Sequence, residues 1–195
     1  MKRYIFTFVL AATVAVTASA QSRFDFGYSI GLPMGDLNDF ISKPSFRGIT
    51  MDYRYMVQPN IAVGANIGWN VFYEAKSSST YTVDNASLSG KQYRYSNNAP
   101  MLVTATYYLN PDDNITPFFG LGIGTMYTRR NTDMNLYTLE EEAWHFALQP
   151  EAGVNIKFED HVGVVLSLKY INGSKAGDFD AAQSYLAFNV GFSFF

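Results

Sequence analysis

Seven charged residues occupy alternate positions within segments that are otherwise apolar at every second place. They comprise four carboxylates and three cations: Asp25, Asp52, Arg54, Glu74, Glu151, Lys157 and Lys169. If one face of a sheet gathers them, opposite charges can pair and stabilise the fold, because an unpaired charge away from water is costly. Alternatively, the same residues could line a narrow pathway for ions.

Catalytic and metal chemistry has weaker support in the sequence. We expect His145 and His161 at opposite ends of the molecule, so they cannot share a site, although His145 could pair with Ser184 or Glu74. We expect His145 to be a partly exposed histidine at the rim. The chain has no cysteine, which excludes thiol catalysis and thiolate metal sites. Two acidic runs, Glu140–Glu142 and Asp178 with Asp180, could each gather a divalent cation, but solvated loop carboxylates are expected. No enzyme activity, metal or cofactor is therefore predicted.

Residues 1–20 have the pattern of a cleaved secretory signal peptide. Lys2 and Arg3 precede an uncharged apolar stretch, and the small residues before Gln21 predict cleavage between Ala20 and Gln21. Removing Lys2 and Arg3, with no acidic residue lost, changes the formal net charge from −3 to −5. Such an acidic chain gives no electrostatic reason to expect nucleic acid as a partner.

Residues 21–195 are predicted to form one β-barrel domain. Apolar and polar residues alternate with the period of a strand in eight segments. These are 24–32, 48–57, 61–74, 101–109, 119–127, 144–158, 162–170 and 184–195. The links between them alternate between short turns rich in Pro, Asn and Asp and longer polar loops at 33–46, 75–99, 129–143 and 172–183. This rhythm predicts an eight-stranded antiparallel up-and-down transmembrane β-barrel, with the short turns facing the periplasm.

The composition of the two strand faces predicts that the polar face points inward. Ten glycines lie on this face. Because glycine weakens a strand, we expect these positions to leave space for long side chains that cross a narrow lumen. Aromatic residues on the apolar face fall near the two ends of the cylinder, as membrane interfaces favour. The periplasmic group is Phe24, Tyr55, Tyr107, Phe119, Phe158 and Phe194; the outer group is Tyr73, Tyr127, Trp144 and Tyr170.

The processing site ASAQ, the opening FGYSIGLPMGDLNDF and the closing FNVGFSFF carry a family resemblance. The chain resembles small OmpA/OmpX-like outer-membrane barrels, and more narrowly the porin-family-type barrel proteins of the Bacteroidetes. The resemblance implies an integral outer-membrane protein, expected to be a monomer among outer-membrane lipids. It also implies that the barrel assembly machinery reads the C-terminal strand at Phe192, Phe194 and Phe195. Phe194 keeps the outward alternation, and Phe195 lies one residue out of phase.

Three functions remain open at this stage. The first is a structural or surface-interaction role, with a polar and charged network filling the lumen and the long loops binding a surface ligand. Four loop tyrosines offer aromatic contacts for such a ligand: Tyr81, Tyr93, Tyr95 and Tyr137. The alternatives are a narrow porin-like channel and a lipid-modifying outer-membrane enzyme.

Overall fold

A computed structural model describes residues 22–83, 86–134, 137–177, 179 and 181–195. The predicted signal peptide, with Ala20 and Gln21, lies outside the described residues, and so do Asp178 and Asp180. Cleavage between Ala20 and Gln21 therefore stays a prediction.

Eight antiparallel strands close into a single barrel in sequence order. They are β1 Ser22–Met34, β2 Gly48–Gln58, β3 Ile61–Val83, β4 Ala86–Tyr108, β5 Ile115–Met134, β6 Tyr137–Glu159, β7 Val162–Gly173 and β8 Gln183–Phe194. The first and last strands complete the ring, with Phe24 opposite Phe194 and Tyr28 opposite Val190. The predicted fold class is confirmed. Closure leaves no open sheet edge within the barrel, as a membrane requires.

The alternation of residue types decides which face of each strand is outside. Trp69 is 53% exposed on the outer surface, whereas Asn189 is only 2% exposed in the lumen. Aromatic rings meet at both ends: Phe24 stacks on Phe194 at 6.4 Å, and Tyr127 contacts Trp144 at 5.2 Å between centroids. An apolar outer band between two aromatic girdles matches a bilayer and its two interfaces.

Strands β3 to β6 continue beyond the rim at which the other four strands end. At this level Val71, Asn97, Arg129 and Glu142 are paired across the four strands. We call residues 71–83, 86–97, 129–134 and 137–142 the protruding sheet. It extends about 40 Å along β3 at about 3.3 Å per residue. The sequence predicted loops at 75–99 and 129–143, which is wrong for most of these residues: they form strands because their hydrogen bonding continues from the barrel.

The connection between β1 and β2 carries a five-residue helix, α1 Asp36–Phe40. It lies over the outer end of the lumen, where Leu37 and Ile41 are fully buried. Within the described part of the chain, no helix has the length and apolar character to cross a bilayer.

Candidate functional site

Five of the seven charged residues singled out in the sequence meet at the centre of the lumen. Arg54, which is 1% exposed, forms ion pairs with Asp25, with Asp52 at 3.3 Å and with Glu151 at 3.1 Å. Lys169 lies 2.6 Å from Asp52 and 3.7 Å from Glu151. We call these five residues the central ion cluster. They come from β1, β2, β6 and β7, so the cluster bridges the barrel wall across the lumen.

Neutral side chains complete the hydrogen bonding of the central ion cluster. The amide of Asn66 donates to Asp52 at 2.9 Å, and the hydroxyl of Ser193 donates to Asp25. Lys169 also donates to the hydroxyl of Thr50 at 3.1 Å. Three carboxylates face two cations, so the cluster carries one surplus negative charge that these donors help to stabilise.

Apolar side chains fill the lumen on both sides of the central ion cluster. The outer apolar layer consists of Leu37, Ile41, Phe72, Leu102, Met126, Ala147, Ile171, Tyr185 and Ala187. The inner apolar layer consists of Ala62, Tyr108, Phe118 and Val165, with Met56 packed against it. The lumen is therefore filled by buried polar side chains and by two apolar layers together, which corrects the prediction of a purely polar and charged filling. Large rings occupy inward positions because glycines on neighbouring strands leave space for them.

Two residues of the predicted network lie elsewhere, which corrects that prediction. Glu74 is at the outer end, where it accepts hydrogen bonds from the backbone and hydroxyl of Ser42 at 2.8 and 3.1 Å and pairs with Lys76 at 3.1 Å. Lys157 is partly exposed at the opposite end and pairs with Asp160 at 3.4 Å. Both face inward, but the lumen is long and the apolar layers separate its ends from its centre.

The outer end of the lumen is closed by α1 and the residues that hold it. The ring of Phe40 lies between two guanidinium groups, 4.9 Å from that of Arg94 and 4.5 Å from that of Arg130. Arg94 also donates to the backbone carbonyl of Phe40 at 2.9 Å, and Asp36 accepts the backbone N–H of Ala182 at 2.8 Å. Arg130 lies beyond the outer girdle, and burial lowers its pKa to about 10.

The two histidines lie at opposite ends of the barrel, and neither belongs to a catalytic arrangement. His145 is buried, with Nδ1 at 2.6 Å from the carbonyl oxygen of Ser174 and its ring edge-on to Phe179. It was expected to be partly exposed, which is wrong, and in the described structure its ring pairs with Ser174 and not with the alternative partners Ser184 and Glu74. His161 is exposed in the β6–β7 turn. Phe179 covers His145 because the β7–β8 connection folds over the lumen.

The loop carboxylates that could have bound a cation have other partners. Glu140 pairs with Arg129, and Glu142 accepts a hydrogen bond from the hydroxyl of Tyr127 at 2.6 Å. Hydrogen bonds from Arg129 and Asn131 lower the pKa of Glu140. Among the described residues, no three acidic, histidine or cysteine side chains are arranged to hold a metal ion.

The final residues of the chain point in different directions. Phe192 and Phe194 face outward in β8, where both rings are exposed. Phe195 follows the strand, donates its backbone N–H to the carbonyl of His161 at 3.1 Å and places its ring 4.9 Å from the guanidinium carbon of Arg23. The residue out of phase thus covers the periplasmic end of the lumen instead of facing lipid.

A comparison with protein families places these features in a known group. Residues 6–194 match the model of the outer membrane protein beta-barrel domain. The chain belongs to this family. It is an integral outer-membrane protein of the OmpA/OmpX-like kind, and its apolar band lies in lipid. The Bacteroidetes affiliation stays a prediction.

Solved structures with the same fold differ widely in sequence. The attachment invasion locus protein Ail of Yersinia pestis is 13% identical, with a TM-score of 0.51 over 89% of this chain and 97% of that chain. Neisserial surface protein A is 13% identical, with a TM-score of 0.53 over 89% and 94%. OprG of Pseudomonas aeruginosa is 14% identical, with a TM-score of 0.54 over 89% and 94%. Identities this low show the fold alone. No curated protein matches the chain.

Proposed function

We propose that this barrel has a surface-interaction role, in which the protruding sheet contacts a partner outside the cell while the lumen stays closed. The observation that carries the proposal is the pair of strand edges that the protruding sheet presents. In the described pairing, the ladder between β2 and β3 ends at Asn70, and the ladder between β6 and β7 ends at Ala147. Further out among the described residues, the outer edges of β3 and β6 are not paired with β2 and β7. Strand edges can add a further strand from a partner through main-chain hydrogen bonds.

The side chains of the protruding sheet support contact through apolar and aromatic groups. Tyr137 and Leu139 are both highly exposed on β6. Tyr93 and Tyr95 are half-buried, with Tyr95 packed on Tyr73 at 4.9 Å, and the side chain of Tyr81 lies outside the described residues. Exposed apolar residues on a solvent-facing sheet mark a contact surface.

The charge of the protruding region argues for a partner that is not a strong polyanion. Ail of Yersinia pestis was solved in complex with the heparin analogue sucrose octasulfate. In this chain, residues 75–99 and 129–143 together contain five basic residues (three and two) and five acidic residues (one and four). A net charge of zero gives no long-range attraction for a sulfated polymer. We therefore propose recognition through strand edges and aromatic rings.

The barrel is proposed to act as a monomer without catalytic activity. Its two histidines lie at opposite ends of the barrel, and the apolar layers that pack the lumen argue against an open path for steady ion flow. The barrel assembly machinery is proposed as a partner through Phe192, Phe194 and Phe195 of the C-terminal segment. The outward ring of Phe194 makes it the residue that continues the alternating signal.

Photo-crosslinking on intact cells tests the surface role. A photoreactive amino acid at Tyr137 or Leu139 is expected to give a discrete crosslinked product. The matched control carries the same group at Val57, which is exposed at the periplasmic end and should not give that product. A second control shortens the β3–β4 hairpin by joining Lys76 to Gln92, which face each other. The surface role requires a crosslinked product at Tyr137 or Leu139 that is lost in the shortened variant. If neither position gives such a product, the surface role is wrong.

A further inference from the structure

The periplasmic end of the lumen opens into a cavity of about 370 Å³. A second cavity of about 530 Å³ adjoins it and shares Arg23, Met56, Pro111 and Asp112 in its wall. We call this space the periplasmic vestibule. It lies below the inner apolar layer, and the surface-interaction role proposed above makes no use of it. The first cavity alone falls at the lower end of the volume range for small-molecule pockets.

Arg23 offers an unpaired cation to the periplasmic vestibule. Its guanidinium group is held between the rings of Tyr108 and Phe195, at 4.4 and 4.9 Å from their centroids. Nη1 is buried without a hydrogen-bond partner in the described structure, and none of the described carboxylates lies within ion-pairing distance of Arg23. Stacking covers the two faces of the group and leaves its N–H edge as a donor for an anion.

Asn155 adds a second polar group without a partner in the same cavity wall. Its side chain is 1% exposed, and neither the amide nitrogen nor the amide oxygen has a hydrogen-bond partner among the described residues. Leaving a buried amide unsatisfied costs free energy, so Asn155 can offer a donor and an acceptor to a polar group in the adjoining cavity.

The charges around the periplasmic vestibule are separated by depth. Arg23 and Asn155 lie in the barrel wall, whereas Asp112 and Asp113 are exposed on the β4–β5 turn at the mouth. Asp160 also lines the mouth, but its charge is paired with that of Lys157. An anionic group entering the cavity meets donors inside, and a cationic group attached to it remains near carboxylates at the mouth. A simple polyanion would meet repulsion at the same mouth.

We propose that the periplasmic vestibule binds a small zwitterion of the class of free amino acids and short peptides. The carboxylate is held by Arg23 and Asn155, and the ammonium group lies towards Asp112 and Asp113. The inner apolar layer and the central ion cluster close the lumen above this site, so the ligand is retained at the periplasmic side instead of passing through the barrel.

Titration of the assembled protein with diglycine tests this proposal. In lipid nanodiscs, the NMR signals of the Asn155 side-chain amide and the Arg23 Nε–H are expected to shift and saturate. The C-terminal amide of diglycine should bind at least about tenfold more weakly, because it loses a charge-assisted hydrogen bond. N-acetyldiglycine should lose less affinity than the C-terminal amide does, because the ammonium charge that it lacks would lie at the hydrated mouth.

Variants separate recognition from folding. Arg23→Gln should weaken diglycine binding about tenfold or more, whereas Arg129→Gln at the other end should leave it unchanged. Asp112→Asn combined with Asp113→Asn should weaken diglycine binding but not that of N-acetyldiglycine. If Arg23→Gln does not assemble, Arg23→Lys keeps the cation without the planar fork and should bind more weakly than the native protein. Heat-modifiable mobility on gels verifies assembly of every variant.

Three results would overturn the proposal. The first is the absence of a saturable shift at about 10 mM diglycine, tenfold above a millimolar dissociation constant. The second is equal binding of diglycine and its C-terminal amide, which would remove the role of the carboxylate. The third is binding of inorganic phosphate as tightly as diglycine, which would make the vestibule a general anion site.

Discussion

The charged residues at the centre of the lumen have neighbours that compensate their burial. Arg54 has three carboxylate partners, and Lys169 has two of the same three. A charge this deep is costly unless its partners remain, whereas loss of the surplus negative charge should matter little. The sequence indicated inward charges by their phase, but phase does not give depth along the axis. Glu74 and Lys157 face inward as their phase predicts, but they lie at the two ends of the lumen instead of at its centre.

The central ion cluster predicts unequal losses of stability for two substitutions. Arg54→Met leaves three carboxylates against Lys169 and should lower the free energy of unfolding by about 3–5 kcal/mol. Asp25→Asn leaves two carboxylates and two cations in the cluster, so the charges balance. It should lower the free energy of unfolding by only about 1 kcal/mol, because only hydrogen bonds are altered. Urea unfolding of the barrel in lipid vesicles measures both. Equal destabilisation by the two changes would mean that the cluster is not held together by charge balance.

The contact between Glu74 and Ser42, which follows α1, should depend on pH. Burial opposes ionisation of this carboxyl, but hydrogen bonds from Ser42 and Lys76 outweigh it and lower its pKa below the ordinary 4.5. A carboxyl with a lowered pKa stabilises the folded contact above its unfolded pKa and loses that contribution as pH falls through the folded value. The Ser42 amide signal should therefore titrate with a midpoint below 4.5. Glu74→Gln should abolish the transition, and a midpoint at or above the ordinary value would contradict this assignment.

Strands were the part of the structure most accurately predicted from the sequence. The eight alternating segments all became strands of the barrel, because a membrane enforces one apolar face and internal hydrogen bonding. The extension of β3 to β6 beyond the membrane was missed, since polar residues occur at both odd and even positions there and the residue types do not alternate. The apolar layers were missed as well. Phe118 directly faces Gly153 on the neighbouring strand, and Phe72 packs over Gly31, so inward aromatic residues beside glycines were the available signal.

The end of β8 predicts which of the two final phenylalanines directs assembly. Phe194 faces lipid and stacks on Phe24, whereas Phe195 turns to Arg23 at the end of the lumen. Phe194→Ala should therefore reduce the assembled fraction in the outer membrane more strongly than Phe195→Ala. Cell fractionation combined with heat-modifiability on gels measures both variants side by side. A larger defect for Phe195→Ala would assign the signal to the terminal residue itself.

The whole molecule is a closed tube whose accessible surfaces lie at its two ends. Two apolar layers and the central ion cluster fill the lumen, and α1 covers its outer mouth. In the proposed orientation, the protruding sheet faces the outside of the cell and the periplasmic vestibule faces the periplasm. We therefore propose that the protein functions at its two ends and that nothing passes through the middle.

Planar-bilayer recording of the purified barrel tests this central claim most directly. Insertion is verified independently by protection of the membrane-spanning strands from protease, so that silence cannot reflect an absent protein. The inserted native barrel is predicted to pass no steady ion current, because the central ion cluster and both apolar layers block the lumen. A steady current through the native barrel that Glu151→Ala alters would place an ion pathway through the cluster and contradict the account.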